Sequence, residues 1–555
     1  MQNRSRRSVR IAALLLASSL VMSSCGGSDS GSDDDGDNNE TTIANGTQDE
    51  GTPTPGGSLT YAIEADASGG YCLATAQLAA GGIQVANAIY DSLFALDENY
   101  EVQPYLAESY SWNPEYTALS IKLREGITFH DGSPLTADVV KLNIDSWRGD
   151  AAAKEKTNLN SLLFLFVFMN IAEVTVDDPL TVTIHTKTPW MALPQFLAGG
   201  RNGIMAESQM VGGEEHCKEN LIGTGPFKVD NWTPNSEMKL SKNPNYWRTD
   251  AEGRQLPYLD SLTFKPIVGG TDRVDALEAG SIDAGHFSGQ DQFDSITDND
   301  ALQLLKEAPG HMEIGYGLVN NAKAPTDDIE IREHLGMAID REELNEINSG
   351  GKFRTADQPF DTDVLGYLED IETLEYDPDA AEEFFAGKNL SVSIKYATDP
   401  TVKLLAESVA AQLKDVGVDS VVEVVDQAAL IDQALGGNFN IILWRNHPGL
   451  DPDTEYNWWH SDSPVNFGKI NDPAIDDALD RGRVSTDPAE RKTIYEDLNR
   501  AFAKGRYNQW NWYTEWAVGA STKVHNITGS TLPDGSATPG VTWGWHSLAE
   551  TWVDQ

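Results

Sequence analysis

The chain has 555 residues, 40% of them apolar and 9% aromatic, with 14 Trp and a formal net charge of −46. A polyanion of this kind is excluded from ordinary nucleic-acid binding, which begins by neutralising phosphates with Lys and Arg. The acidity reads instead as a solvated surface that keeps the body soluble. The length is too great for one hydrophobic core and calls for two or three domains.

The chain opens on Arg4, Arg6, Arg7 and Arg10, then an apolar run from Ile11 to Met22, then Ser23-Ser24-Cys25. A charged region, a short apolar region and small residues before a cleavage point are the pattern of an export signal. The run is shorter than the ~20 residues that span a bilayer. A cysteine directly after the small residues resembles a bacterial lipobox. Residues 1–24 are therefore expected to be a lipoprotein signal peptide and Cys25 the lipid-bearing residue; the alternative is simple secretion. Ser28 to Gly56 carries Asp33, Asp34, Asp35, Asp37, Glu40, Asp49 and Glu50 with no Lys or Arg. Such a tract cannot bury enough surface to fold and extends by self-repulsion. It reads as a tether, residues 25–56, holding the body outside the cytoplasm on the outer face of the cell membrane.

With Cys25 carrying lipid, Cys72 and Cys217 remain, both outside the cytoplasm, where disulfides persist. A Cys72–Cys217 bond is expected, against two free buried thiols.

Ser58 to Glu64 alternates and predicts a strand; Gln84 to Leu96 predicts a helix running into a short strand. Ala118–Leu123 and Gly126–Phe129 predict paired strands, with turns at Glu125-Gly126 and Asp131-Gly132. Thr136 predicts an N-cap. Val174–Val176 and Leu180–Thr186 predict a hairpin around Asp177-Asp178-Pro179. Leu162 to Met169 predicts buried core. Further on, Leu390–Tyr396, Asp419–Val425 and Phe439–Trp444 predict strands, with helices over Val402–Val416 and Ala428–Leu435. That alternation implies βαβ units and a largely parallel sheet. Ligands of such sheets gather at the carboxyl ends of strands, here the loop after Trp444. Two α/β lobes with a cleft between them are expected.

Several motifs recur in a recognisable order. They are Tyr105-Leu-Ala-Glu-Ser109, Lys122-Leu-Arg-Glu-Gly-Ile-Thr-Phe-His130-Asp-Gly-Ser-Pro-Leu-Thr-Ala137 and Gly223-Thr-Gly-Pro-Phe-Lys228. Then come Asn243-Pro-Asn-Tyr-Trp247, Arg273-Val-Asp-Ala-Leu-Glu-Ala-Gly280, Ala338-Ile-Asp-Arg341, Asp451-Pro-Asp453 and Thr486-Asp-Pro-Ala-Glu-Arg491. Together they resemble the extracellular solute-binding proteins of family 5, the peptide- and nickel-binding components of ABC importers. The resemblance implies an α/β, two-lobed periplasmic-binding-protein-like fold with an extra inserted domain, as in the oligopeptide-binding cluster. It places one discontinuous lobe at 57–95, 217–315 and 506–555, an inserted small domain at 96–216 and a second lobe at 316–505. It also brings Cys72 and Cys217 to the point where the insertion leaves and returns.

The implied chemistry is capture by hinge closure and delivery to a permease and ATPase complex, by a monomer, with no cofactor and no metal. An extended peptide is the first expectation for the ligand; an oligosaccharide, a metal chelate or another organic solute are the alternatives. A peptide's ammonium requires a carboxylate. Asp451 is the candidate anchor, because relatives that bind peptides carry an aspartate in a similar setting, and Asp453 is its substitute. Either can also be a turn residue of Asp-Pro. Arg445 is the candidate partner of Asp451 or of a ligand carboxylate. Trp444, Trp459, Trp510 and Trp512 are candidate cleft walls, and each also suits a core. Tyr71 is a further candidate. The stretch Gly69-Gly-Tyr-Cys72 departs from the family pattern there. An exported hydrolase is the distant alternative, without a nucleophile elbow, zinc helix or phosphate loop in its favour. His130 and His216 read as structural, while His286, His311, His447 and His460 lack close ligand spacing.

Overall fold

The computed structural model describes residues 42–43 and 51–554, apart from 68, 162–163, 399, 426–428 and 447–448. Cys25, expected to carry lipid, lies outside the described residues. The first lobe begins with β1 (Thr42–Ile43) and β2 (Ser58–Ile63). An inserted domain supplies β3 (Ala107–Trp112), β4 (Ala118–Leu123), β5 (Ile171–Asp178) and β6 (Thr181–Thr186). The chain returns for β7 (Phe227–Thr233), β8 (Glu237–Lys242), β9 (Ser261–Pro266), β10 (Ala284–Phe287) and β11 (Leu302–Lys306). The second lobe holds β12 (Glu313–Val319), β13 (Ser391–Ala397), β14 (Asp419–Val425), β15 (Ile441–Asn446) and β16 (Asn508–Thr514), before β17 (Ala517–Ser521) goes back to the first.

The first-lobe sheet runs β1-β11-β17-β10-β2-β9-β8-β7, and the inserted sheet runs β3-β4-β6-β5. The second-lobe sheet runs β14-β13-β15-β12-β16. In it β13 is parallel to β14 and β15, as βαβ units require, while β12 is antiparallel to both its neighbours. Helices α1 (Pro400–Asp415) and α2 (Leu430–Gly436) make the two crossovers.

The lobes are joined by two adjacent segments. Lys306 pairs with Ala517 at the end of one sheet and Glu313 pairs with Thr514 at the start of the other. Residues 307–312 and 515–516 therefore cross side by side, held where Glu307 N–H donates to Trp516 O at 2.8 Å. Asp361 steadies the longer crossing by accepting from Gly310 N–H at 3.1 Å and Met312 N–H at 2.9 Å.

The structure revises four expectations. Strand β16 belongs to the second lobe, because it pairs with β12, so the return to the first lobe falls at 515–516 and not at 506. Residues 126–129 do not pair with β4, whose edges are already taken by β3 and β6; they make only the Thr128–Pro134 bridge. Thr42 and Ile43, inside the expected tether, pair in parallel with Leu305 and Lys306. The run ending at Met169 is only partly core: Phe168 is buried while Leu165 and Met169 are exposed. The β5–β6 hairpin forms as expected, and Thr136 Oγ1 accepts from Val139 N–H.

The recognisable motifs turn out to hold one another. His130 Nε2–H donates to Gly225 O at 3.0 Å while its Nδ1 accepts from Gly223 N–H at 3.3 Å, an arrangement open only to a neutral imidazole. Burial lowers its pKa to about 4 despite the bond to Gly225. A side chain at Gly223 or Gly225 would strike Ile89, its Cβ falling 2.0 Å from Ile89 O or 2.5 Å from its carbonyl carbon. Buried Asp91 accepts from Thr224 Oγ1 at 2.9 Å, Trp247 Nε1 at 2.9 Å and Tyr246 O–H at 3.3 Å. Cys72 and Cys217, both fully buried, are bonded with their Cα atoms 5.3 Å apart.

Candidate functional site

Along β12, Ile314, Tyr316 and Leu318 point into the second-lobe core. By the alternation of a strand, Glu313, Gly315 and Gly317 lie on the opposite face. On β15 that same face carries Leu443 and Arg445, with Arg445 directly across from Gly315. Glycine there makes room for Trp512, since a Cβ at Gly315 would fall 2.7 Å from the indole Nε1.

Four groups meet at that point. Arg445 stands at the carboxyl end of β15, and Glu64 directly follows the carboxyl end of β2, a parallel strand of the first lobe. Glu313 opens β12 where the longer crossing ends, and Trp516 lies on the shorter one. The Arg445 guanidinium lies 4.9 Å from the Trp516 ring centre, a contact worth about 0.5–2 kcal/mol. It stands 3.9 Å from Glu64 Oε1 and 3.7 Å from Glu313 Oε2. Its side chain keeps 42% exposure. Glu313 is fixed by Trp516 Nε1–H, which donates to its Oε2 at 2.9 Å.

Electrostatics differ between the two carboxylates. Burial raises the Glu313 pKa, and Arg445 and the Trp516 bond only partly offset it, with Glu64 adding to the rise. Burial also pushes Glu64 up, yet His286, Arg445 and Arg273 outweigh it and the net shift is downward. His286 Nε2 lies 3.1 Å from the Glu64 backbone nitrogen and its Nδ1 2.9 Å from Gly544 O; burial lowers its pKa, against the pull of the Glu64 charge. Arg201, on a short turn at Gly200–Asn202, adds positive charge near Glu313 while its Nε–H donates to Leu78 O.

The residues expected from sequence distribute differently. Arg445 is in this cluster, but its carboxylate neighbours are Glu64 and Glu313 and not Asp451. Both Asp451 oxygens accept from Arg491, at 2.6 and 2.7 Å, and its Oδ1 also caps Asp453 N–H. A ligand ammonium would have to displace a buried guanidinium to reach it. Asp453 accepts from Arg483 Nε–H at 2.8 Å and from Trp190 Nε1–H at 2.5 Å. The tryptophans serve cores: Trp444 packs edge-on to Phe467, Trp459 lies against Phe360 and Phe502, and Trp510 lies against Tyr316. Trp512 enters the core that runs beneath the crossing. A bulge separates these last two, because Tyr316 pairs with Trp510 and Gly315 with Trp512, leaving Asn511 extra. Tyr71 is fully buried, donating to Asp66 Oδ1 at 2.8 Å and packed edge-on to Trp232.

Sequence reasoning missed Glu64 and Glu313. Glu64 was legible as the polar residue ending a strand; nothing local marks Glu313, whose role comes from the crossing. Among the described residues, no group of three His, Cys, Asp or Glu is placed to hold a metal ion. A recess of about 70 Å³ on the second lobe, beside Arg332, Arg341 and Arg506, is far below the ~300 Å³ of small-molecule sites.

Known proteins with this organisation bind solutes. The pattern of the bacterial extracellular solute-binding proteins, family 5 (middle region), matches residues 101–468. The glutathione-binding protein GsiB of Escherichia coli K12 is 27% identical over 433 residues, covering 74% of this chain and 80% of GsiB. Among solved structures, Helicobacter pylori DppA with the peptide STSA aligns with a TM-score of 0.79 at 20% identity, over 90% of this chain and 99% of that one. Bacillus subtilis AppA with a nonapeptide gives 0.78 at 20% identity, over 91% and 100%. Campylobacter jejuni NikZ with Ni(L-His) gives 0.74 at 22% identity, over 89% and 99%. The chain belongs to family 5 of the bacterial extracellular solute-binding proteins, the extracytoplasmic solute-capturing components of ABC importers.

Proposed function

We propose that the solute is a short peptide or a similarly zwitterionic molecule, seated at the crossing between the lobes. The observation that carries this is the Glu64–Glu313–Arg445 cluster over Trp516. Two carboxylates and one guanidinium from three parts of the chain are gathered there, with 3.9 Å between Arg445 and Glu64 and 3.7 Å between Arg445 and Glu313. Glu64 and Glu313 supply acceptors for an ammonium, and Arg445 supplies a fork for a carboxylate. Glu313, whose ionised form burial disfavours, gains most when a cation arrives. Closure about the 307–312 and 515–516 crossing then presents the form that the permease recognises. Relatives with glutathione or peptide ligands support the class. Native mass spectrometry of the protein as purified checks it: a retained amine-bearing peptide is expected, and a retained sugar would overturn the reading.

We also place the protein on the membrane through lipid at Cys25, supported by the basic, apolar and small-residue order before it. Cys25→Ser is expected to shift the protein to the medium or leave it unprocessed. A Cys25→Ser variant that is processed and still stays on the membrane would contradict the anchor.

A further inference from the structure

The inserted domain and the second lobe meet far along the sequence from the crossing segments, through a buried polar contact. Trp190 is fully buried, its backbone N–H donating to Tyr116 O of the inserted domain and its ring packed against Phe168 and Phe196. Its indole Nε1–H donates to Asp453 Oδ2 at 2.5 Å. Asp453, also fully buried, stands on the Pro452–Glu455 turn of the second lobe, and Arg483 of the Pro473–Val484 helix donates to its Oδ1 at 2.8 Å. The same guanidinium lies 5.2 Å from the Trp190 ring centre and 3.6 Å from that of Tyr456. Apolar contacts flank this bond in both directions. Leu450 of the second lobe packs against the first-lobe core, and Phe166 of the inserted domain packs against the second-lobe core.

We infer that Trp190 sets the affinity for solute by latching the inserted domain to the second lobe when the cleft closes. The design suits a reversible latch. When the lobes part, Asp453 keeps Arg483 and is never left a lone buried charge, while Trp190 gives up a bond that water can replace and its contact with Arg483. Parting this seam therefore costs the indole bond, the Arg483 contact with the Trp190 ring and the two apolar contacts. A closed form stabilised by that amount raises the fraction competent to hold solute, and apparent affinity scales with that fraction. Trp190 acts through closure and not by touching solute, so it is a positioning residue. The inference rests on the closure mechanism under Proposed function.

The test compares wild type with Trp190→Phe, which keeps the ring and removes the N–H, by stopped-flow and calorimetry with the solute identified from the purified protein. About tenfold weaker binding is expected, appearing in the dissociation rate with association nearly unchanged. Small-angle scattering should show the ligand-free variant more open than wild type. Phe166→Ala, a second variant on the other side of the seam, should act in the same direction. Wild-type affinity and dissociation rate in both variants, with wild-type solute binding intact, would overturn the latch alone. A wild-type protein that shows no change in scattering on binding solute would instead defeat the closure mechanism itself.

Discussion

At the scale of single residues, the same motif can look like a binding site and be a brace. Asp451 sits in an Asp-Pro-Asp turn, and the turn itself is plain in the sequence. What the sequence hides is the partner, because Arg491 arrives from 40 positions later on the helix Pro488–Gly505. Both side chains are buried, so their pairing is a closed unit. Asp451→Asn should therefore lower the unfolding free energy of the ligand-free protein by about 3–5 kcal/mol, the usual cost of stranding a buried charge. Denaturant titration measures this directly. A large loss of solute affinity with unchanged stability would return Asp451 to the role of ammonium anchor.

At the scale of elements, the residues that made the family legible are those that lock elements together. His130 ties the loop after β4 to the Gly223–Gly225 turn, and Asp91 gathers Thr224, Tyr246 and Trp247. Such contacts depend on unusual residue types at fixed spacing, which is why they stand out in a single sequence. The cluster at the crossing has no such spacing: Glu64, Glu313 and Arg445 come from three separate strands and meet only through topology. Strand periodicity located β13, β14 and β15 well, but a period of two cannot reveal the bulge that sends Trp510 and Trp512 to different cores. The lock at His130 carries a pH signature. An unfolded His titrates near 6.5, whereas the folded one is lowered to about 4, so the unfolded state binds more protons between those values. Its contribution is full above the unfolded value and is lost as pH falls through 6.5 towards 4, by at most about 3 kcal/mol. Unfolding free energies measured across that interval should decline with acid, and less steeply in His130→Asn. Equal slopes in the two proteins would show that His130 is not held neutral.

At the scale of the whole molecule, the two lobes meet at the crossing segments, and the inserted domain meets the second lobe along the seam at Trp190 and Asp453. The junction at 307–312 and 515–516 brings the ends of strands from both sheets to a charged floor, and the seam at Trp190 and Asp453 meets on closure. Two α/β lobes and an inserted domain were legible from the alternation of elements and the family motifs. The position of the crossing was not, since β16 reads like any other strand until β12 is beside it. The central claim is that the floor recognises a zwitterion, and its separate groups make it separable. Calorimetry with a binding peptide and its N-acetylated form, on wild type and Glu313→Gln, tests it most directly. Loss of one partner of a desolvated charge pair costs about 2–5 kcal/mol, or roughly 30-fold or more in affinity. Wild type is expected to favour the free amine by that factor and Glu313→Gln to lose most of the preference. Equal affinity of both proteins for both peptides would contradict it.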